Sequence, residues 1–300
     1  MKLIFLGTSS MVPTRERNVQ GIYLEYNGEG ILVDCGEGTQ RQMSIAGIKK
    51  NKVKKILISH WHGDHVSGII GLLQTIGNEV KNSVIDIYGP KETKKRMNSL
   101  LNSCIYDANV ILNIHELNPK KKIKFFENDN YILYCAPLKH NVQCIGYQFS
   151  EKDILKVDME KAKKLGLKSS PLIGKLKEGK SILVDGKKIL PEKITTVKKG
   201  IKIGFILDTL TCNGCIDVAK EADILICESS FSKEHDEKAE NFKHMTAEKA
   251  AHIAQQANAK KLILTHFSQR YKQIDNLVEE ARVIFPNTLA AFDFMQIKFE

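Results

Sequence analysis

The 300-residue chain is predicted to fold as an α+β protein, an αββα four-layer sandwich with a projecting basic arm. Two observations lead there. Short β-rich apolar runs fill both ends of the chain, with helical stretches between them, so two sheets would face each other and be covered outside by helices. A lysine-rich segment of different composition, residues 151–199, separates these two halves. The whole of 1–300 reads as one domain with 151–199 as an inserted flexible arm.

Taken in order, strands are expected at 2–6, 22–26 and 31–34, then at Lys55-Ile56-Leu57-Ile58-Ser59. A helical stretch follows through Ile69-Ile70-Gly71-Leu72-Leu73, with strands near 84–88, 131–135 and 144–149. After the insert the pattern restarts with strands at 203–207, 223–227, 262–265 and 289–299, and a helix from Thr246 to Ala257. Gly and Pro punctuation marks the insert as an arm rather than a second globular domain, while Leu172, Leu176, Ile182 and Leu183 give it apolar anchors.

Composition narrows the class. At 42% hydrophobic residues and few prolines the chain can bury one large core. Its N-terminal apolar run is too short for a secretory signal, and no run approaches the roughly 18 apolar residues of a membrane span, so a cytoplasmic protein is expected. Seven cysteines, odd in number and scattered, do not resemble a disulfide framework; Cys212-Asn213-Gly214-Cys215 is an isolated CxxC and reads as structural. The formal charge is +10, and the insert holds much of it: fourteen lysines and no arginine against seven acidic residues. Such a cluster is either a nucleic-acid contact favoured by counterion release or a solvated lysine-rich surface, and charge alone does not choose between them.

The densest chemistry is His60-Trp61-His62-Gly63-Asp64-His65, four metal-binding side chains within six residues at a strand end. Three imidazoles and a carboxylate suit zinc, and their spacing allows two ions side by side. Three further candidates stand where later strands hand over to loops: His140, Asp208 and His266. A two-metal hydrolase is the expectation these residues raise.

The same residues resemble the metallo-β-lactamase superfamily through HxHxDH, and within it the tRNA 3′-processing endoribonuclease family, ribonuclease Z. The narrower likeness lies in Phe5-Leu6-Gly7-Thr8-Ser9-Ser10, Pro13-Thr14-Arg15-Glu16-Arg17-Asn18, the block from Asp34 to Gln42, His244-Met245-Thr246 and the block from Thr265 to Tyr271. It covers essentially the whole chain.

The resemblance implies one zinc held by His60, His62 and His140, a second by Asp64, His65 and His266, and Asp208 bridging them, two ions per subunit. A metal pair about 3.5–4 Å apart stabilises both the attacking and leaving oxygens of an in-line displacement at phosphorus. Asp64 would also accept the attacking water's proton or serve as a ligand only. His244 is the expected unligated proton donor, oriented by Glu228. The family carries that glutamate in an HEAT motif, whereas this chain reads Cys227-Glu228-Ser229-Ser230. The insert corresponds to the family's tRNA-gripping arm, with Lys163, Lys164, Lys168, Lys175, Lys177 and Lys180 as phosphate contacts, and Arg15 and Arg17 resemble residues that approach the tRNA 3′ terminus. Precursor tRNA as substrate and a homodimer are likewise implied. Two rivals use the same residues: a small-molecule hydrolase, which leaves the basic arm unexplained, and a metal-stabilised RNA-binding protein, which needs no proton donor.

Overall fold

The computed structural model describes residues 1–299 apart from 106–108, 165–166, 168–170 and 185. Two seven-stranded mixed sheets stand face to face. The first runs, edge to edge, Gln296–Lys298, Lys2–Gly7, Gly21–Tyr26, Glu29–Val33, Val53–Leu57, Ser83–Pro90 and Val110–Leu117. The second runs Thr288–Ala290, Leu262–Thr265, Ile224–Glu228, Lys202–Ile206, Gln143–Glu151, Tyr131–Lys139 and Ile123–Glu127.

Strand periodicity explains why four layers form. Successive side chains of a strand point to opposite faces, so a strand that is apolar at every position must be covered on both sides. Leu3 and Phe5, Ile22 and Leu24, and Ile31 and Val33 enter the core between the sheets, where they meet Tyr147, Phe149, Phe205 and Ile226. Their alternates Ile4, Leu6, Tyr23 and Leu32 face outward and pack with Met43, Leu72, Leu73 and Met97 of the helices Thr39–Ile45, Ile69–Glu79 and Thr93–Leu101. On the other sheet Leu225, Cys227, Leu262 and Leu264 do the same beneath Asn213–Ala219, Ala247–Gln256 and Asp275–Ile284. Hydrogen bonds also join the two sheets: buried Tyr147 donates its hydroxyl to the Ile58 carbonyl at 2.7 Å, Tyr26 to Glu151 at 2.9 Å and Tyr131 to Glu29 at 3.0 Å. All seven cysteines are free, with the Cys212 and Cys215 sulfurs 3.6 Å apart.

The insert leaves the second sheet between two hydrogen-bonded neighbours. Gln143–Glu151 pairs antiparallel with Lys202–Ile206, and Glu151 N donates to the Ile201 carbonyl at 2.9 Å, so entry and exit lie side by side. Beyond them Ile154–Val157 pairs with Thr195–Lys198 as a ribbon, followed outward by the helices Met159–Lys164 and Pro171–Lys177 and the hairpin of Ile182–Val184 with Lys187–Ile189. Val157, Ala162, Leu167, Ile173, Leu176, Ile182, Ile189 and Ile194 form a separate buried cluster.

The last expected strand, 289–299, is instead two. Thr288–Ala290 joins the second sheet and Gln296–Lys298 the first. Between them the chain turns, with Phe294 at φ 69°, and Asp293 anchors the crossing. Its carboxylate accepts from Asn18 N at 2.7 Å, Thr8 Oγ1 at 2.9 Å and Gln42 Nε2 at 2.9 Å. An apolar run shows its period but not a mid-run change of sheet, because the cause is a contact with residues far away in sequence.

Burial pushes the Asp293 carboxyl up to about 6 despite these donors. Its ordinary value in an unfolded chain is about 3.9. Asp293→Ala is expected to cost roughly 2–4 kcal/mol in urea unfolding through the abandoned donors. A raised folded pKa gives stability that is fully present below about 4 and lost as pH rises through about 6. The deficit of the variant should therefore be larger at pH 4 than at pH 7; a deficit that grows with pH would refute this account.

Candidate metal centre

Every metal-facing candidate stands at a strand end on one rim of the sandwich. His60, His62, Asp64 and His65 follow Val53–Leu57, with Asp64 and His65 in the short helix Gly63–Val66. His140 follows Tyr131–Lys139, Asp208 follows Lys202–Ile206, and His266 lies between Leu262–Thr265 and Phe267–Ser268. His266 has φ 60°, a left-handed conformation uncommon for a residue with a side chain.

Ligand atoms of these residues gather into two groups, each within 4.8 Å: His60, His62, His140 and Asp208 in one, Asp64, His65 and His266 in the other. Asp208 reaches both. Its Oδ2 lies 3.5 Å from His60 Nε2, and its Oδ1 lies 3.3 Å from His65 Nε2 and 3.1 Å from His266 Nε2. His62 Nδ1 faces His60 Nε2 at 3.0 Å and His140 Nε2 at 3.2 Å. A third grouping, Asp208, His244 and His266, overlaps these.

The arrangement fits a bound cation. His65 Nε2, His266 Nε2 and Asp208 Oδ1 are buried side-chain atoms with no hydrogen-bond partner, an arrangement native structures otherwise avoid. Burial and the neighbouring imidazoles hold His60 well below its ordinary value, which keeps its lone pair available. Burial works against the charge of Asp64 and Asp208, yet the surrounding histidines hold both below the usual carboxylate range.

Outer groups fix four of these imidazoles, those of His60, His65, His140 and His266, the support that metal-binding histidines commonly have. Asp34, fully buried and at φ 56°, lies 2.6 Å from His65 Nδ1 and accepts from Ser59 N and Ser59 Oγ, each at 2.7 Å. Ser59 Oγ lies 3.0 Å from His60 Nδ1, and His140 Nδ1 lies 2.9 Å from the Lys243 carbonyl. Ser230 Oγ lies 3.0 Å from His266 Nδ1 and donates to Glu228 Oε2 at 2.8 Å. Sequence reasoning assigned none of these supports a role. Asp34 stood inside a family-like block, and Ser230 stands in the very stretch that departs from the HEAT pattern.

His244 comes in beside this group, just before the helix Ala247–Gln256, which Thr246 caps by accepting from Lys249 N. Glu228, fully buried at the end of its strand, also accepts from Thr209 N at 2.7 Å. Its two oxygens lie 3.0 and 3.1 Å from His244 Nδ1. Burial disfavours the charged ring, but Glu228 and Asp208 outweigh it and raise His244 to about 9. The other ring nitrogen, Nε2, lies 3.9 Å from Asp208 Oδ2. Met11, His62, Asp64, Asp208, Phe242 and His244 help line a cleft of about 400 Å³, and Met11 N donates to Asp64 Oδ2 at 2.9 Å.

The other candidates lie apart from this cleft or turn away from it. Arg17 is drawn inward, donating to the Tyr271 carbonyl with its guanidinium over the Phe267 ring, while Arg15 is exposed. Lys163, Lys164, Lys175, Lys177 and Lys180 are exposed on the arm, Lys180 paired with Glu178 at 2.7 Å; Lys168 lies outside the described residues.

Comparison with known proteins agrees with this architecture. A family profile described as Anti-Pycsar protein Apyc1 matches residues 1–167, a stretch that ends before Asp208, Glu228, His244 and His266. Ribonuclease Z of Methanothermobacter thermautotrophicus is 40% identical, covering 99% of this chain and 96% of that protein. Ribonuclease Z of Microcystis aeruginosa is also 40% identical, over 98% and 95%. The crystal structure of human tRNase Z, short form, superposes with a TM-score of 0.74 at 26% identity, covering 99% of each chain. The metallo-β-lactamase fold protein YhfI from Bacillus subtilis shares the fold at TM-score 0.70 and 19% identity, covering 99% of this chain and 98% of that one. Since the likeness runs from end to end and takes in both halves of the metal centre, the chain belongs to the ribonuclease Z family and has the metallo-β-lactamase fold.

Proposed function

We propose that the protein is a metal-dependent endoribonuclease that removes the 3′ trailer from precursor tRNA, leaving a 3′-hydroxyl on the tRNA and a 5′-phosphate on the trailer. The observation that carries this reading is the His244–Glu228 pair. A histidine held charged by a buried carboxylate, facing a metal centre from outside either main ligand group, is an acid for a leaving oxygen. A protein that only bound RNA would have no use for it.

In this reading His60, His62 and His140 would hold one zinc and Asp64, His65 and His266 the other, with Asp208 available to both. The ions, when bound, would supply the positive charge that activates a water and stabilises the pentavalent phosphorus. Glu228 keeps the proton of His244 Nδ1 engaged, so the proton on Nε2 is the one that can pass to the departing O3′. Asp64, whose Oδ2 accepts from Met11 N, would serve as a ligand and either take the proton of the attacking water as well or act as a ligand only. The exposed lysines of 151–199 grip tRNA phosphates at a distance from the cut, and a homodimer would let one subunit's arm serve the other's cleft. The fold contains no helix long and apolar enough to cross a membrane among the described residues, which is compatible with the cytoplasmic setting that tRNA processing implies.

Three outcomes are expected. Purified protein should cut a 3′-extended precursor tRNA next to the discriminator nucleotide, with end mapping showing the 3′-hydroxyl and a chelator abolishing the cut. Intact RNA together with rapid turnover of a small phosphodiester would move the protein to small-molecule hydrolysis instead.

His244→Ala should retain its metal by elemental analysis yet lower kcat by about 10²–10⁴-fold, the usual range when a general acid is removed. Loss of metal in this variant would mean that the Asp208, His244 and His266 grouping is itself a ligand set.

Because Glu151 and Ile201 are already hydrogen-bonded neighbours, replacing 153–199 by a short turn should leave the melting temperature of the sandwich nearly unchanged. Cleavage of tRNA should fall at least a hundredfold in kcat/KM, consistent with removal of several lysine–phosphate pairs, while hydrolysis of a small phosphodiester persists. Equal loss of both activities would make the arm a folding element.

A further inference from the structure

Beside the metal cleft lies a second cavity walled by the same two loops. The cleft takes His62 from the loop after Val53–Leu57, and His140 and Asn141 from the hairpin after Tyr131–Lys139. The neighbouring cavity, about 390 Å³, takes the adjoining residues of each: Trp61 from the first loop, Val142 and Gln143 from the second. Pro90, Lys91, Glu92 and Arg96 complete it. A strand that leaves the cleft across His62 and Asn141 enters this cavity directly.

The far wall is the start of the helix Thr93–Leu101, which follows Glu92 and where Glu116 accepts from Lys94 N at 3.0 Å. Lys91, Lys94, Lys95 and Arg96 gather there, all exposed, with Glu92 the single acidic residue among them. Arg96 meets Glu92 at 3.1 Å, both about half exposed, a surface pair that separates at little cost. Beside them an aromatic surface is held in place: Trp61 Nε1 donates to Thr93 Oγ1 at 2.9 Å, and Thr93 Oγ1 donates to the Pro90 carbonyl at 2.6 Å. A positive groove with a fixed aromatic wall is the standard receptor for single-stranded nucleic acid, the charges following the backbone and the ring meeting a base.

We propose that this cavity holds the RNA strand on the trailer side of the cut, the first nucleotides beyond the scissile phosphate. The inference rests on the endoribonuclease reading and deepens it. The side follows from the proton donor. His244 serves the departing O3′, so the tRNA end lies with His244, and the phosphate stays with the trailer. The His244 ring lies 5.2 Å from His140, and His140 lies 5.0 Å from His62. The second cavity adjoins the cleft through the chain neighbours of His62 and Asn141 and does not include His244 in its lining, so the strand that continues into it, away from the proton donor, is assigned as the trailer.

The test compares two precursors of one tRNA, carrying a trailer of one nucleotide or of roughly eight, within the usual span of single-strand sites. The double variant Lys91→Glu/Arg96→Glu changes exposed side chains only. Its kcat/KM on the long trailer should fall about tenfold or more, mainly through KM, and the slope of log(kcat/KM) against log salt should shrink by about 1–2, one for each phosphate no longer neutralised. On the one-nucleotide trailer the ratio to wild type should be several-fold closer to unity. The milder Lys91→Ala/Arg96→Ala should fall between. Wild-type kinetics on both substrates, or an equal loss on both, would overturn the proposal. If the wild-type protein cuts neither substrate, the endoribonuclease reading itself fails, and this one with it.

Discussion

The constraint on which the rest of the structure depends is the mutual approach of five imidazoles and two carboxylates whose lone pairs face one another in a space largely closed to water. Left alone, such a set would relax apart, since buried acceptors without donors are costly. Here the outer groups prevent it. Asp34, Ser59, the Lys243 carbonyl and Ser230 each engage the nitrogen of an imidazole turned away from the centre. These groups belong to widely separated segments, and only the packing of both sheets brings them to one rim. The sandwich is thus the device that keeps a ligand set aimed inward, and its interior of alternating Leu, Ile and Phe side chains supplies the rigidity.

Several groups at this rim hold a backbone shape that ordinary residues avoid. Asp34 and His266 both adopt positive φ, and neither is glycine. Such strain persists only where the surroundings over-determine it. At Asp34 the surroundings are three hydrogen bonds in a fully buried place; at His266 they are the flanking strands Leu262–Thr265 and Phe267–Ser268. Glu228 belongs to the same logic. Its oxygens serve Thr209, Ser230 and His244 at once, so the orientation of the His244 ring is coupled to the loop that presents Asp208.

Legibility in the sequence tracked how locally each feature is determined. HxHxDH is contiguous, and its position after a strand could be read directly. The apolar runs showed their period, so most of the two sheets could be placed, although Val110–Leu117, where Val110 alone is buried, and Ile123–Glu127, where no residue is, passed unnoticed. The turn at Asp293 could not be read because its cause lies at Thr8, Asn18 and Gln42. Ser230 was equally hidden: a serine in place of a family-like residue says nothing until His266 is seen beside it. Arg15 and Arg17 look alike in sequence, yet only the contact with Tyr271 shows that one of them is turned inward. The cations at Lys91–Arg96 were visible all along as residues, but without the loops of Trp61 and Val142 next to them they formed no site.

The wide spread of the ligands along the chain has a consequence for how the protein matures. The His60–His65 quartet is the first part of the centre to leave the ribosome, while His266 comes from a strand made long afterwards. Until that strand docks beside Ile224–Glu228, Asp64 and His65 lack their third partner, and an ion captured early would sit in an incomplete coordination sphere. The Asp64, His65 and His266 group is therefore complete only once the two sheets have closed on each other, and the N-terminal half alone carries just part of it.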